Sequence, residues 1–153
     1  MRIRKGAAIR LVGVIRGHLA EEPKPDWGKD KSSSFGEDLV GGWLLENGGL
    51  VEGLQKGEVI SIPEGGTLAR RRTDWLLGKR IVVEVKTYAA DLNKGEYLSN
   101  TRQVEDYSLW RDEQPDYRAV VLARVAWNRN SRMESLFRED LRHFQVPVIR
   151  FLW

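Results

Sequence analysis

The chain has 153 residues, of which 41% are hydrophobic and 31% charged, which is enough for one compact domain with one core. It has no cysteine, so disulfides, thiolate zinc sites and cysteine-ligated iron–sulfur clusters are excluded. The two histidines, His18 and His143, are too far apart in sequence to predict a histidine metal site. A net charge of +3 permits a nucleic-acid partner without demanding one.

The first 34 residues are basic and only partly apolar. Arg10 and Arg16 interrupt the apolar stretch, and no run approaches the roughly 20 apolar residues of a membrane span. We therefore expect an intracellular, cytoplasmic protein with no membrane partner. Two prolines and a polar run over 21–34 predict a linker, which divides the chain into an arm, 1–34, and a domain, 35–153.

The rest of the chain alternates helix and strand signals. A helix is predicted over 35–47, with Ser34 as its cap and Glu37 at the capping-box position. Its internal glycines, Gly41 and Gly42, predict a close approach by another backbone or a ligand. The later predictions are one or two strands in 50–62, a β-hairpin over 67–88, a loop over 90–100, a helix over 101–113, a strand over 117–127, a helix over 131–144 and a strand over 146–153. This order predicts an α/β fold with a mixed central β-sheet flanked by helices.

The strand of the stretch RIVVEVK carries two charges where a buried strand should have none. Glu84 and Lys86 are two residues apart, so both point to one face of the strand, while Val83 and Val85 point to the other. One interpretation is that the strand ends at the surface and the charges are solvated. The other is that a carboxylate and an amine are placed together for chemistry.

Asp74 lies in the preceding strand, and the turn decides where it points. A three-residue loop over 77–79 pairs it with Val82, diagonal to Glu84 and on the same face. A two-residue turn pairs it with Val83 and directs it away. We expect the three-residue loop, which brings two carboxylates within reach of one divalent ion.

Paired carboxylates suit phosphodiester hydrolysis, because hard oxygen ligands bind Mg²⁺, which retains water and bridges to phosphate. The metal lowers the pKa of its water and neutralises developing charge. Mn²⁺ is expected to substitute for Mg²⁺. Lys86, on the same face, would orient the water or the scissile phosphate.

Asp74 followed by Glu84-Val85-Lys86 resembles the D…(D/E)-x-K signature of the PD-(D/E)XK nuclease superfamily, with Thr73 where proline often stands. The resemblance implies a restriction-endonuclease-like fold, a mixed sheet flanked by helices. It also implies a compact nuclease from a virus or a prokaryote.

The stretch EDLVGGWLLENG is similar to the first helix of archaeal-type Holliday junction resolvases, with Glu37 in the position of the metal-site glutamate. The resemblance implies Mg²⁺ held by Glu37, Asp74 and Glu84, and a homodimer that makes paired cuts in a four-way DNA junction. The alternative for Glu37 is a capping-box residue without a catalytic role.

A second motif, in the helix predicted over 101–113, favours a different nuclease. Gln103-Val104-x-x-Tyr107 resembles the Q-h-x-x-Y motif of RecB-like nucleases, in which the glutamine positions substrate or water. That resemblance implies exonuclease action on DNA ends, and a restriction-type nuclease acting on duplex DNA belongs to the same alternative. A third hypothesis is a non-catalytic DNA-binding module.

Basic residues near these motifs are candidates for phosphate contact. The candidate DNA-binding residues are Lys29, Lys31, Arg70, Arg71, Arg72 and Arg102. For each arginine the alternative is an ordinary exposed residue.

Overall fold

The computed structural model describes residues 33–46, 53–88, 92–126 and 132–152. The helices in these ranges are α1 (Ser33–Glu46), α2 (Lys94–Glu113) and α3 (Arg132–His143). The strands are β1 (Leu54–Lys56), β2 (Val59–Ser61), β3 (Arg70–Arg72), β4 (Trp75–Leu77), β5 (Ile81–Tyr88), β6 (Ala119–Ala126) and β7 (Val148–Leu152). Residues 1–32, most of the predicted arm, lie outside the described residues and include Lys29 and Lys31.

Five strands form one mixed sheet in the order β1-β4-β5-β6-β7. The β1–β4 and β4–β5 pairs are antiparallel, whereas the β5–β6 and β6–β7 pairs are parallel. The helix α2 makes the crossover that a parallel β5–β6 pair requires. This architecture confirms the predicted α/β class with a mixed central sheet, and it makes β5 the central strand.

The two faces of the sheet are covered by different helices. On one face Val83 and Val85 pack with α1, and on the other Val82 packs with α2 and α3. The side chains of β5 therefore alternate as predicted, with Glu84 and Lys86 on the α2 side. The charged pair lies between the sheet and a helix.

A close approach seats α1 on the sheet. A Cβ atom on Gly41 would lie 2.0 Å from Cζ2 of Trp75, so the indole occupies the space that any side chain at 41 would need. A Cβ on Gly42 would meet nothing within 4 Å. A close approach does occur at Gly41, but the neighbour is a side chain of β4 and not the backbone or ligand that was predicted. The predicted cap, Ser34, lies inside α1, which begins at Ser33.

The helix α2 begins earlier than the sequence suggested. Residues 94–100, predicted as a loop, are helical, and that prediction is wrong. The cause is a capping box: the Asn93 side chain accepts from the Glu96 N–H at 2.8 Å, and Glu96 Oε1 accepts from the Asn93 N–H at 3.0 Å. The spacing N-x-x-E predicts a helix start, but Gly95 lies between the two residues and disfavours a helix.

The predicted hairpin over 67–88 is only partly right. Strands β4 and β5 form it, but Arg70–Arg72 pairs instead with β2 in a separate antiparallel ribbon, in which Ile60 lies opposite Arg71. The strand, helix and strand predicted near the C-terminus are confirmed as β6, α3 and β7. Among the described residues, no helix combines the length and apolarity needed to cross a membrane.

Candidate active site

Asp74 lies where the chain passes from the ribbon to the main sheet, and main-chain hydrogen bonds fix this point. Thr73 is 1% exposed, and its N–H and hydroxyl both donate to the carbonyl of Glu58, at 2.8 and 2.9 Å. The N–H of Gly57 donates to the carbonyl of Asp74 at 3.2 Å. A proline at position 73 would lack the first of these donors, so the threonine contributes an anchor of its own.

The turn of the β4–β5 hairpin differs from both registers considered from sequence. Its loop is Gly78–Arg80, with Gly78 and Lys79 at positive φ, and it pairs Leu77 with Ile81. Continued by one pair, this register sets Asp74 level with Glu84 rather than with a valine. The expectation that both carboxylates converge is met, although neither predicted register was right.

The Asp74 carboxylate is strongly perturbed. Its Oδ2 accepts a 2.7 Å hydrogen bond from the N–H of Val85, which favours the charged form. Burial and then the negative charge of Glu84 act in the opposite direction and prevail, and they raise the pKa of Asp74 to about 8. Two carboxyl groups therefore share a site in which both cannot easily be ionised.

Glu84 is buried rather than at the surface, being 3% exposed. Its Oε1 accepts from Nζ of Lys86 at 2.9 Å, and its Oε2 accepts from the hydroxyl of Tyr107 at 3.0 Å. A carboxylate without such partners would be very costly inside the protein. The strand carries two charges because they neutralise each other beneath α2, so the solvated-charge interpretation is wrong for this pair.

Gln103 and Tyr107 enter the site from one face of α2, because they are one helical turn apart. Nζ of Lys86 donates to Oε1 of Gln103, and Nε2 of Gln103 lies 3.4 Å from the Tyr107 hydroxyl. Burial, then the charge of Glu84, raises the pKa of Tyr107, so its hydroxyl stays protonated as a donor. The sequence motif held this tyrosine, but its bond to Glu84 was not predicted.

Glu37 is less closely integrated. It lies in the first part of α1 and is half-buried, and its carbonyl accepts from Nε1 of Trp75 at 2.9 Å. Its charge makes a contribution to the raised pKa of Asp74 that is smaller than those of burial and Glu84. The structure therefore places Glu37 near the pair but not in contact with it.

The predicted DNA-binding arginines separate into two kinds. Arg71 points inward, and its Nε lies 2.8 Å from Oδ2 of Asp106, which is fully buried. Arg70, Arg72 and Arg102 are exposed. Arg71 is thus held within the protein, a role that a run of three arginines does not reveal.

The fit to a divalent cation rests on the carboxylate pair. Mutual repulsion between Asp74 and Glu84 is the electrostatic condition that a cation relieves, and carboxylate oxygens are the donors that Mg²⁺ prefers. In the part of the chain that the structure describes, no three His, Cys, Asp or Glu side chains are grouped closely enough to hold a metal ion. The pair fits a metal that retains most of its water, as Mg²⁺ does.

Comparison with known proteins gives no relative for this chain: no family model, curated protein or solved structure matches it.

Proposed function

We propose that this protein is a metal-dependent DNA endonuclease of the PD-(D/E)XK type, with a restriction-endonuclease-like fold, that cuts four-way junctions as a homodimer. The observation that carries the proposal is the convergence of Asp74, Glu84 and Lys86 in one largely buried cluster. A purely structural strand would gain more from apolar residues at these positions, because a buried ion pair seldom repays its desolvation.

Asp74 and Glu84 would hold Mg²⁺, or Mn²⁺ in its place. Glu37 on α1 lies near the pair without touching it, and it would become the third ligand once its side chain turned toward the bound ion. When bound, the cation supplies a water of lowered pKa and neutralises charge that develops on the phosphate. Asp74, whose pKa is about 8, gives up its proton when it becomes a ligand.

The other side chains hold and orient. Lys86 is held through Nζ by Glu84 and Gln103, so its positive charge has a fixed place beside Glu84, from which it would attract a water or a phosphate oxygen. Tyr107 holds the second oxygen of Glu84. Each group is thereby set before substrate arrives, which is how a charged site stabilises a transition state at least cost.

The junction as substrate and the homodimer belong together. A single site cuts one strand, and symmetric cleavage of two strands of a junction needs two sites related by a twofold axis. Substrate of this kind is supported by the resemblance of the Glu37 helix to the junction resolvases. An intracellular location is part of the same proposal.

The test is cleavage of an end-labelled immobile four-way junction and of its matching linear duplex, with Mg²⁺ and with EDTA. Paired nicks in the junction alone are expected, lost in EDTA and reduced at least about 10²-fold by Asp74→Asn. Glu139→Gln, which removes an exposed carboxylate on α3, is the matched control and should cut normally. Binding without cleavage in either metal would identify a non-catalytic DNA-binding module.

A RecB-like exonuclease is the second candidate, favoured by the contacts of Gln103 with Lys86 and Tyr107. This candidate predicts progressive shortening of the linear duplex from its ends. A restriction-type nuclease would instead give internal cuts in the duplex. The same gel separates all three activities.

A further inference from the structure

The ribbon formed by β2 and β3 has two different faces. Ile60 and Arg71, which lie opposite each other, point toward the protein: Ile60 belongs to the core that packs on α2, and Arg71 reaches Asp106. The pairs on either side are Val59 with Arg72 and Ser61 with Arg70, and all four residues are exposed. The ribbon therefore buries its middle pair and turns two arginines outward.

One buried carboxylate fastens the ribbon to α2. Asp106 accepts from the N–H and the hydroxyl of Thr67, each at 2.7 Å, and from Nε of Arg71 at 2.8 Å. These three hydrogen bonds satisfy the fully buried carboxylate. They hold the inner face of the ribbon against α2, so the outer face is turned away from the protein.

The outer face begins beside the candidate active site. The chain runs from Arg72 through Thr73 to Asp74, and the carbonyl of Arg72 lies 3.3 Å from the Tyr107 hydroxyl that binds Glu84. A polymer whose reacting group sits at Asp74 and Glu84 would extend past Arg72.

The charge on the outer face of the ribbon indicates which kind of partner would bind there. Its four paired outward residues carry two arginines and no carboxylate, while Glu58 and Glu64 flank the strands outside the pairs. Arginine binds phosphate oxygens in a two-pronged manner. The partner of matching chemistry is the phosphate backbone of duplex DNA.

We propose that the outer face of the β2–β3 ribbon binds the DNA backbone next to the cleaved phosphate, with Arg70 and Arg72 as the contacts and Arg71 as an internal tether. The proposal rests on the proposed function in taking DNA as the substrate. It gives three consecutive arginines two different roles, contact with DNA and attachment of the ribbon to the protein.

The experiment measures the affinity of the full chain for a fluorescein-labelled linear duplex in EDTA, between about 50 and 200 mM salt. Arg70→Gln and Arg72→Gln are each expected to reduce the slope of log affinity against log salt by about 1, and to weaken binding several-fold. Arg142→Gln, an exposed arginine in the last turn of α3, is the matched control and should keep the slope.

Arg71→Gln has a separate expected result. It should lower the urea midpoint, because it removes a partner of buried Asp106, whereas Arg70→Gln and Arg72→Gln should leave the midpoint unchanged. This comparison distinguishes a tether from a contact without any DNA.

Unchanged slopes in both Arg70→Gln and Arg72→Gln would overturn the proposal. An equal loss of slope in Arg142→Gln would overturn it too, since the effect would then be one of net charge. A change in sedimentation coefficient in place of a change in slope would mean that the face joins two copies of the chain, and would also overturn it. The binding assay contains no metal, so its result does not depend on cleavage. Reduced slopes together with no cleavage in the separate assay with Mg²⁺ would uphold the ribbon proposal and reject the nuclease. Junction cleavage together with unchanged slopes would do the reverse.

Discussion

The hydroxyl of Tyr107 lies 3.0 Å from Oε2 of Glu84, and both residues are buried. The bond joins a helix to the central strand of the sheet, and it gives Oε2 of the buried carboxylate a donor. Together with Lys86 on the other oxygen, it explains how a charged residue occupies the middle of an apolar strand.

Tyr107→Phe should therefore destabilise the protein by about 1 to 3 kcal/mol, because it removes the hydroxyl that donates to Oε2 of buried Glu84. Urea unfolding in EDTA measures the change. Tyr117→Phe is the control: Tyr117 is 56% exposed, and its variant should stay within about 0.5 kcal/mol of the parent. Equal stabilities of the two variants would show that the bond is unimportant.

The raised pKa of Asp74 makes stability depend on pH. Between its ordinary value of 3.8 and about 8, the folded protein keeps a proton on Asp74 that the unfolded chain has released. The free energy of unfolding in EDTA should then fall as pH rises through this window, by an amount on the order of a few kcal/mol. Urea titrations at pH 5 and at pH 9, both conditions chosen as roughly the ends of the window, measure the loss.

Asp74→Asn should remove this contribution to the pH dependence and should be more stable than the parent at the alkaline end. Mg²⁺ should restore stability to the parent there and not to the variant, because a ligand that binds only the folded state stabilises it. The free energy of unfolding of the parent and of the variant should therefore change differently between acid and alkaline pH. The same change in both proteins would contradict the raised pKa of Asp74.

The charged strand illustrates how far sequence reasoning reaches. The two-residue period of a strand is a local rule, so it placed Glu84 and Lys86 together, and the motif that includes Gln103 brought the correct helix face to them. Whether Glu84 is solvated or buried depends on what covers the strand, and that is decided by α2, which follows later in the chain. Burial of a charge is a tertiary property that a local pattern does not contain.

The three arginines show the same limit. Their alternation along β3 is local, but the direction of Arg71 is fixed by Asp106, which is distant in sequence. The register at Asp74 failed for a different reason: the Gly78–Arg80 loop uses positive φ at Lys79 as well as at Gly78, and non-glycine residues seldom adopt it. The helix start at Lys94 was readable from Asn93 and Glu96 and was missed.

The seat of α1 predicts opposite effects at adjacent glycines. Gly41→Ala should destabilise the protein by about 1 to 3 kcal/mol, because its methyl group would collide with the Trp75 ring 2.0 Å away. Gly42→Ala should instead stabilise it by about 0.5 to 1 kcal/mol, since alanine favours helix and nothing lies within 4 Å. Urea unfolding of the two variants is the measurement, and a shared sign would reject this packing.

A second buried ion pair joins β6 to α3. Its arginine, Arg124, lies beside Lys86 in the register of β5 and β6. Nε and Nη2 of Arg124 lie 3.0 and 3.1 Å from the two oxygens of Glu134, and both residues are 5% exposed. Glu134→Gln should cost about 3 to 5 kcal/mol, because it removes a negative charge that contacts a buried guanidinium through two hydrogen bonds. Glu139→Gln, on the exposed side of the same helix, should change stability by less than about 0.5 kcal/mol.

The double variant Arg124→Met with Glu134→Met tests whether the ion pair stabilises the protein or only offsets the cost of burying its own two charges. Replacing both charges with apolar groups should be close to neutral, even though removing one is costly. A double variant as unstable as Glu134→Gln would mean that the pair is needed for the shape of the domain.

The crossover between β5 and β6 has a consequence during synthesis. When synthesis has passed Glu113, β5 can pair on one edge with β4, but its other edge stays open until β6 follows the 20-residue helix. An open edge bearing Ile81, Val82 and Val83 is a template for pairing with another nascent chain. A protein truncated after Glu113 should accordingly aggregate, and slow translation across the α2–β6 junction should lower the soluble yield.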